Sequence, residues 1–232
     1  MPDGIAAHAD EHSHHAVHHP ALQHHFETLD QQHEASTLGM WIFLVTEVMF
    51  FGGLLMAYLV YRVWYPEAWA EGSLELDIVL GGVNTVVLIG SSLTMALAVR
   101  AAQTGAPRAT VRWLLLTMGL GLTFLVIKVF EYEHKFALNH VPGPNFVFEG
   151  PHADQVQIFL SLYFSLTGLH ALHMIVGFVL LSVIAWMAHR RRFTPEWYTP
   201  VELSGLYWHF VDIVWIFLFP LLYLLGAHYA GH

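Results

Sequence analysis

Long apolar segments alternate with short polar connections along most of the chain. Five such segments follow a polar N-terminal stretch, and each exceeds the roughly 20 residues that an α-helix needs to cross about 30 Å of hydrocarbon. Transmembrane strands would show alternating segments of about half that length. The pattern therefore predicts an all-α, polytopic membrane helical bundle, with helices at about 38–62, 76–99, 112–133, 156–188 and 203–226.

The connections between these segments contain turn-forming residues. Pro66 and Gly72 lie in the first connection, and Gly105 and Pro107 lie in the second. The segment NHVPGPNFVFEGPHADQ is rich in Pro and Gly, and its length predicts a shaped loop outside the membrane. No internal repeat and no second soluble domain is evident, so 38–232 is predicted to be one membrane domain.

The composition supports the membrane interpretation and removes several kinds of site. The chain is 56% hydrophobic and only 12% charged, which is too little charge to cover the surface of a soluble domain of 232 residues. It has no cysteine, which excludes a disulfide, a zinc–thiolate site, an iron–sulfur cluster and a covalently attached c-type haem.

Residues 1–37 are predicted to form a flexible, cytoplasmic tail that contains half of the chain's 18 histidines. The tail lacks the basic start and apolar core of a signal peptide. Its histidines could bind a transition metal, although their irregular spacing argues against a fixed site. Because histidine titrates near neutral pH, proton buffering is a second hypothesis for the same residues.

The distribution of Lys and Arg predicts the orientation in the membrane. With five spans, the tail shares a side with the loops around 100–112 and 189–202. The other side has only Arg62 and Lys135 near its helix ends. The N-terminus is therefore predicted to be cytoplasmic, on the side that carries Arg100, Arg108, Arg112, Arg190, Arg191 and Arg192.

Glu47, in the segment VTEVMFFGG, is an acid inside an apolar run. A charged group at bilayer depth costs at least about 2.5 kcal/mol on insertion scales, so its presence requires a reason. Glu47 lies about two turns into the predicted first helix and should face protein or a polar cleft. Its position alone leaves two interpretations open, which are a proton-handling or lipid-contacting acid and an acid hydrogen-bonded to a neighbouring helix.

Other polar side chains recur at helical spacing. His170 and His173 are three residues apart, as are His209 and Asp212, so each pair lies on one helix face. Hydrogen bonding between helices is the favoured interpretation, and the alternative is ligation of haem or copper, including a haem held by two of the three histidines. Lys128 and Glu131 have the same spacing, so they can pair and reduce each other's burial cost.

Four motifs occur in order across the five segments: LGMWIFLVTEVMFFGG, KVFEYEH, SLYFSLTGLHALHMIVG and GLYWHFVDIVWIFLFP. Together they resemble subunit III of haem–copper terminal oxidases, the cytochrome c oxidase family. The resemblance extends from Leu38 to Leu225. It implies an all-helical subunit without a redox centre of its own, which packs against the haem- and copper-carrying subunit I and forms a cleft for phospholipid.

The resemblance also implies roles for individual residues. Glu47 matches the acid that lies beside bound lipid in this family, and His173 matches the second histidine of a GxHxLH motif near the same lipid. These two residues are therefore the predicted lipid-binding or proton-related cleft. Interhelical polar packing is the role predicted for His170, Lys128, Glu131, Trp208, His209 and Asp212. No catalytic residue and no metal ligand is predicted in this chain.

This sequence differs from the commonest family form, which has seven spans. It resembles a shorter form that begins at the third span. Because two spans cross the membrane and return, their loss leaves the N-terminus on the same side of the membrane. The missing helices would remove one wall of the lipid cleft. The long loop that ends in GPHADQ is expected on the periplasmic side, where it could contact an electron-donor subunit.

The predicted function is that of a cofactor-free accessory subunit of a proton-pumping, cytochrome c oxidase-type oxidoreductase in aerobic respiration. It would stabilise the catalytic subunit, bind lipid and support proton uptake in a bacterial inner membrane. The expected partners are oxidase subunits I and II with their haems and copper, membrane phospholipid and an electron-donor complex such as cytochrome c, but no nucleic acid. The alternatives are a subunit of a quinol oxidase or nitric oxide reductase, and a membrane haem b protein.

Overall fold

The computed structural model describes residues 20–144 and 146–224, and this part of the chain is almost entirely helical. Five helices are long and apolar enough to cross a membrane. The only β pairing in the described residues is an isolated bridge between Thr194 and Trp197. The predicted all-α membrane bundle is therefore confirmed. In chain order its elements are α1 (Leu29–Trp64), α2 (Pro66–Leu74), α3 (Ile78–Gln103), α4 (Pro107–Ala137), α5 (Ala153–His189), α6 (Thr199–Phe219) and a π-helix, Pro220–Leu224.

Helix α1 begins at Leu29, nine residues before the predicted start, so the tail predicted to span 1–37 is helical from that residue onward. The reason is an N-cap: the Thr28 side chain accepts a hydrogen bond from the backbone N–H of Gln31 at 3.1 Å. Glu47 consequently lies near the middle of α1 rather than two turns from its start. The tail histidines at positions 1–19 lie outside the described residues.

The first connection contains a helix that the sequence analysis interpreted as turns. Pro66 occupies the first turn of α2, where its fixed φ and missing N–H are compatible with a helix. Gly72 faces α5, and its lack of a side chain allows the ring of Phe159 to pack directly against the α2 backbone. Ala68 and Trp69 of α2 are buried in the same contact, which stabilises a helix of only nine residues.

The other helix ends differ from the prediction by a few residues. Helices α3, α4 and α5 end at Gln103, Ala137 and His189, and α4 begins at Pro107, which takes the favoured first-turn position of proline. Pro220 ends the α-helical part of α6, and the chain continues as a single π turn. Residues 225–232 lie outside the described part of the chain.

Helices α3 to α6 form the core of the bundle, and α1 packs along one side of it. Helix α4 lies between α3 and α5, and α6 contacts both α3 and α5. Helix α1 contacts α5 and α6 through a narrow stripe, because only Leu44, Phe51 and Tyr58 are buried along its 36 residues. Most of the apolar surface of α1 is therefore not covered by the other helices of this chain.

The indole of Trp208 occupies the centre of the four-helix core. It is almost fully buried and donates a hydrogen bond from Nε1 to Ser91 Oγ at 2.7 Å. A Cβ atom on Gly121 would lie 2.8 Å from this ring, and one on Gly177 would lie 3.1 Å from it. These two glycines therefore let α4 and α5 approach α6 closely, whereas a Cβ on Gly119 would meet nothing within 4 Å.

We predict that Gly121→Ala destabilises the bundle by about 1–3 kcal/mol, because the added methyl group overlaps a rigid, enclosed indole. The measurement is the thermal unfolding midpoint of the protein in mild detergent. Gly119→Ala is the matched control on the same helix and should be neutral or slightly stabilising, since alanine is the better helix former. Equal effects of the two substitutions would contradict this account of the packing.

Candidate functional site

A hydrogen bond joins Glu47 on α1 to His173 on α5. His173 Nε2 lies 2.9 Å from Glu47 Oε2, and the other ring nitrogen, Nδ1, lies 2.9 Å from the backbone carbonyl oxygen of Leu169. When Nδ1 carries the proton, it donates a hydrogen bond to this carbonyl, which orients the imidazole towards α1. The structure thus brings together the two residues predicted to form the lipid-binding or proton-related cleft.

The surroundings of this pair are aromatic on one side and open on the other. The ring of Phe51 lies 5.1 Å from the His173 ring, centroid to centroid, and the Tyr207 hydroxyl donates to the His173 carbonyl at 3.0 Å. The His173 and Glu47 side chains nevertheless remain 12% and 16% exposed. The pair is consequently shielded by protein but reachable from the surface of the chain.

A second polar cluster lies towards the C-terminal end of α4 and consists of Lys128, Glu131, Tyr163 and Tyr223. Lys128 Nζ donates to Glu131 Oε2 at 2.9 Å and to the Tyr223 hydroxyl at 2.6 Å. Both tyrosine hydroxyls donate to Glu131 Oε1, at 2.7 Å from Tyr163 and 2.5 Å from Tyr223. The four side chains join α4, α5 and the π turn after α6, and both members of the ion pair are buried.

The Lys128 cluster is enclosed by aromatic rings. Lys128 Nζ lies 4.9 Å from the centroid of the Trp215 ring and 5.2 Å from that of Tyr163, which are cation–π distances. The pairing of Lys128 with Glu131 agrees with their three-residue spacing. The two tyrosines were not identified from the sequence, because they lie far from Glu131 in the chain.

The remaining intramembrane residues named from the sequence have separate neighbours. The His170 ring is fully buried, with the rings of Phe124 and Trp215 both 5.3 Å away, centroid to centroid. His209 Nδ1 lies 2.7 Å from Ser92 Oγ. Asp212 lies beside Ser92 but makes no directed hydrogen bond to any described residue.

The three histidines considered as haem ligands are therefore not grouped around a common centre. His170 is enclosed by aromatic rings, His173 bonds Glu47, and His209 contacts a serine on α3. Among residues 20–144 and 146–224, no group of three or more His, Asp or Glu side chains is arranged to hold a metal ion.

The ends of α2 and α4 form a further polar group that the sequence analysis did not identify. Lys135, near the end of α4, is buried and donates to the Glu75 carbonyl and carboxylate. His140 Nδ1 lies 3.0 Å from Glu75 Oε2. His152 similarly contacts Glu71, at 3.0 Å from Nδ1. Glu71 and Glu75 are four residues apart and could have been grouped from the sequence, but their partners lie far along the chain, at the end of α4 and in the 138–152 loop.

The fold and these contacts define a polytopic membrane protein whose ionisable side chains meet inside the bundle. The family described as "Cytochrome c oxidase subunit III" matches residues 21–227. The chain is 35% identical to cytochrome c oxidase subunit 3 of Synechocystis sp. over 81% of this chain and 74% of the relative. It therefore belongs to the cytochrome c oxidase subunit III family, as the four sequence motifs indicated.

Other relatives have names from two branches of haem–copper oxidases. Cytochrome c oxidase subunit 3 of Thermostichus vulcanus is 31% identical over 85% of this chain and 92% of the relative. Cytochrome bo(3) ubiquinol oxidase subunit 3 of Pseudomonas aeruginosa is 32% identical over 85% of this chain and 90% of the relative. The identities to the two branches overlap, so the match is to subunit III of the haem–copper oxidases as a group.

We predict that Lys128→Met lowers the free energy of unfolding by about 3–5 kcal/mol, because it leaves the buried Glu131 without its cation. Replacing both partners, as Lys128→Met with Glu131→Leu, should recover much of the loss, since no unpaired charge then remains in this cluster. Thermal unfolding in mild detergent measures both effects. Glu133→Gln, at an exposed position on the same helix, is the control and should change stability by less than about 0.5 kcal/mol. A double variant as unstable as the single one would show that the buried charge is not the cause.

Proposed function

We propose that this chain is the accessory, cofactor-free subunit III of a proton-pumping oxygen reductase of the cytochrome c oxidase type. In this role it stabilises the catalytic subunit I, binds phospholipid and supports proton uptake in a bacterial inner membrane. The observation that carries the proposal is the Glu47–His173 contact in a chain that matches subunit III over residues 21–227.

The geometry of that contact supports a role in lipid binding. Both ring nitrogens of His173 are engaged, so the partly exposed Glu47 carboxylate is the group that can accept a further hydrogen bond from a polar headgroup. The narrow contact of α1 with α5 and α6 leaves apolar surface on both sides for acyl chains. The Glu47–His173 pair would then hold phospholipid against the bundle and keep the neighbouring subunit I in place during turnover.

The same role in a quinol oxidase is the second candidate, because the Pseudomonas aeruginosa relative named as a ubiquinol oxidase subunit is 32% identical. Under the first proposal, subunits I and II with haem and copper purify together with this chain in mild detergent, and the complex oxidises reduced cytochrome c. Under the second, the complex oxidises ubiquinol instead. Purification of this chain with neither set of partners would contradict both candidates.

We predict that Glu47→Gln leaves the haem and copper spectra and the initial rate of oxygen reduction of the assembled complex unchanged. The reason is that Gln keeps a hydrogen bond to His173 but removes the charge that faces the proposed cleft. The altered quantities should be the phospholipid retained on purification and the number of turnovers completed before inactivation. Both are measured on the intact complex, by lipid analysis and by prolonged oxygen consumption.

Glu34→Gln provides the control, because Glu34 is an exposed acid in the polar first turns of the same helix. This variant should match the wild type in lipid content and in turnover number. Complete loss of initial oxidase activity in a fully assembled Glu47→Gln complex would contradict the proposed role.

The proposed cytoplasmic location of the N-terminus rests on the Arg-rich ends of α3, α4 and α5. Since the chain has no cysteine, single substitutions in its loops report on orientation directly. We predict that a membrane-impermeant maleimide labels Glu149→Cys in intact spheroplasts but labels Glu196→Cys only after lysis. The measurement is the label on the band of this chain, and the opposite pattern would reverse the proposed orientation.

A further inference from the structure

A groove with a concentration of positive charge lies where the start of α4 meets the end of α5. Its volume is about 720 Å³. Three arginines and one histidine contribute to it, and their side chains are exposed. We call it the cationic groove, and it is lined by Pro107, Arg108, Val111, Arg112, Ala188, His189 and Arg191.

Within residues 20–144 and 146–224, no carboxylate pairs with the arginines of the cationic groove. Arg108 and Arg112 are four residues apart and lie on one face of α4, and Arg191 follows the end of α5. Three like charges around one groove repel one another, so a bound anion would lower the electrostatic energy.

Arg191 occupies a left-handed backbone position that disfavours its side chain. Three helices end in a Schellman motif whose critical residue has positive φ: Gly105 at 67°, Asn139 at 57° and Arg191 at 53°. Glycine and asparagine tolerate this left-handed conformation, whereas arginine is disfavoured in it. In the third motif, Arg191 N–H donates to Ala188 O at 2.9 Å and Arg192 N–H donates to Met187 O at 3.2 Å.

Apolar surface continues from the cationic groove along α4. Leu115 and Leu116 lie one turn beyond Val111 and Arg112 on the same face, and both are exposed. Gly119, on the next turn, has no atoms within 4 Å of its Cβ position, so the surface remains open there. A ligand that matches both parts of this surface has an anionic head and apolar chains.

We propose that the cationic groove binds the phosphate headgroup of an anionic phospholipid, with the acyl chains along the exposed face of α4. Guanidinium groups suit this ligand because they present donors in a fork that matches phosphate oxygens. This site is separate from the Glu47–His173 pair, which lies at the contact of α1 with α5. It depends on the membrane location of the helices but not on the identity of the electron donor.

The experiment titrates phosphatidylglycerol into the delipidated, assembled complex and counts bound lipid by native mass spectrometry. Arg191→Gly should weaken binding about fivefold, and the triple variant with Arg108→Gln and Arg112→Gln should weaken it about a hundredfold. Arg191→Gly should not lower the thermal unfolding midpoint, because glycine is the favoured residue at that backbone position. Loss of lipid without loss of stability separates ligand binding from a structural role.

Arg190→Gln is the matched control. Its guanidinium lies outside the cationic groove, 5.5 Å from the centroid of the Trp186 ring, so phosphatidylglycerol binding should be unchanged. Equal affinity of the wild type and the triple variant would overturn the proposal, as would equal binding of phosphatidylcholine. Displacement of the lipid by inorganic phosphate at the same concentration would assign the groove to free phosphate and contradict the lipid assignment. Co-purification of subunits I and II tests the proposed function separately.

Discussion

Polar groups inside a membrane protein must find their partners within the protein, because hydrocarbon offers none, and this constraint explains how the bundle is organised. Lys128 and Glu131 are buried together with two tyrosine hydroxyls that bond the same carboxylate. Three chain segments therefore meet at one ion pair. Glu47 and His173 likewise join α1 to α5. The Glu47–His173 contact and the two tyrosine bonds to Glu131 fix the relative rotation of the elements that they join, which apolar side chains facing lipid cannot do as specifically.

Close packing complements these polar contacts. The indole of Trp208 reaches a serine on α3 only because the neighbouring helices present glycines towards its ring. Pro220 shortens α6 and starts a π turn, and within that turn the Leu221 carbonyl accepts a hydrogen bond from the Tyr58 hydroxyl of α1. Small residues, a proline and a few hydroxyl groups thus determine the spacing of helices whose lipid-facing surfaces are otherwise similar.

The features that depend on local sequence were predictable, and those that depend on distant residues were not. The number of membrane-spanning helices follows from segment length, and the Lys128–Glu131 contact follows from three-residue spacing. Tyr223 lies 92 residues from Glu131, and Glu75 lies 60 residues from Lys135, so no local pattern pointed to those contacts. The early start of α1 was missed because its first turns are polar, although Thr28 is a suitable N-cap. The Glu47–His173 pairing followed from the resemblance to a family rather than from the residues alone.

The distance in sequence between Glu47 and His173 has a consequence for how the protein is made. Glu47 enters the ribosomal exit tunnel 126 residues before its partner. Helix α1 must therefore be inserted into the bilayer while its acid has no imidazole to bond, at a penalty of a few kcal/mol. The apolar side chains on both sides of Glu47 offset that penalty. Their hydrophobicity is accordingly a requirement of biosynthesis, and it persists in the finished protein as the broad exposed face of α1.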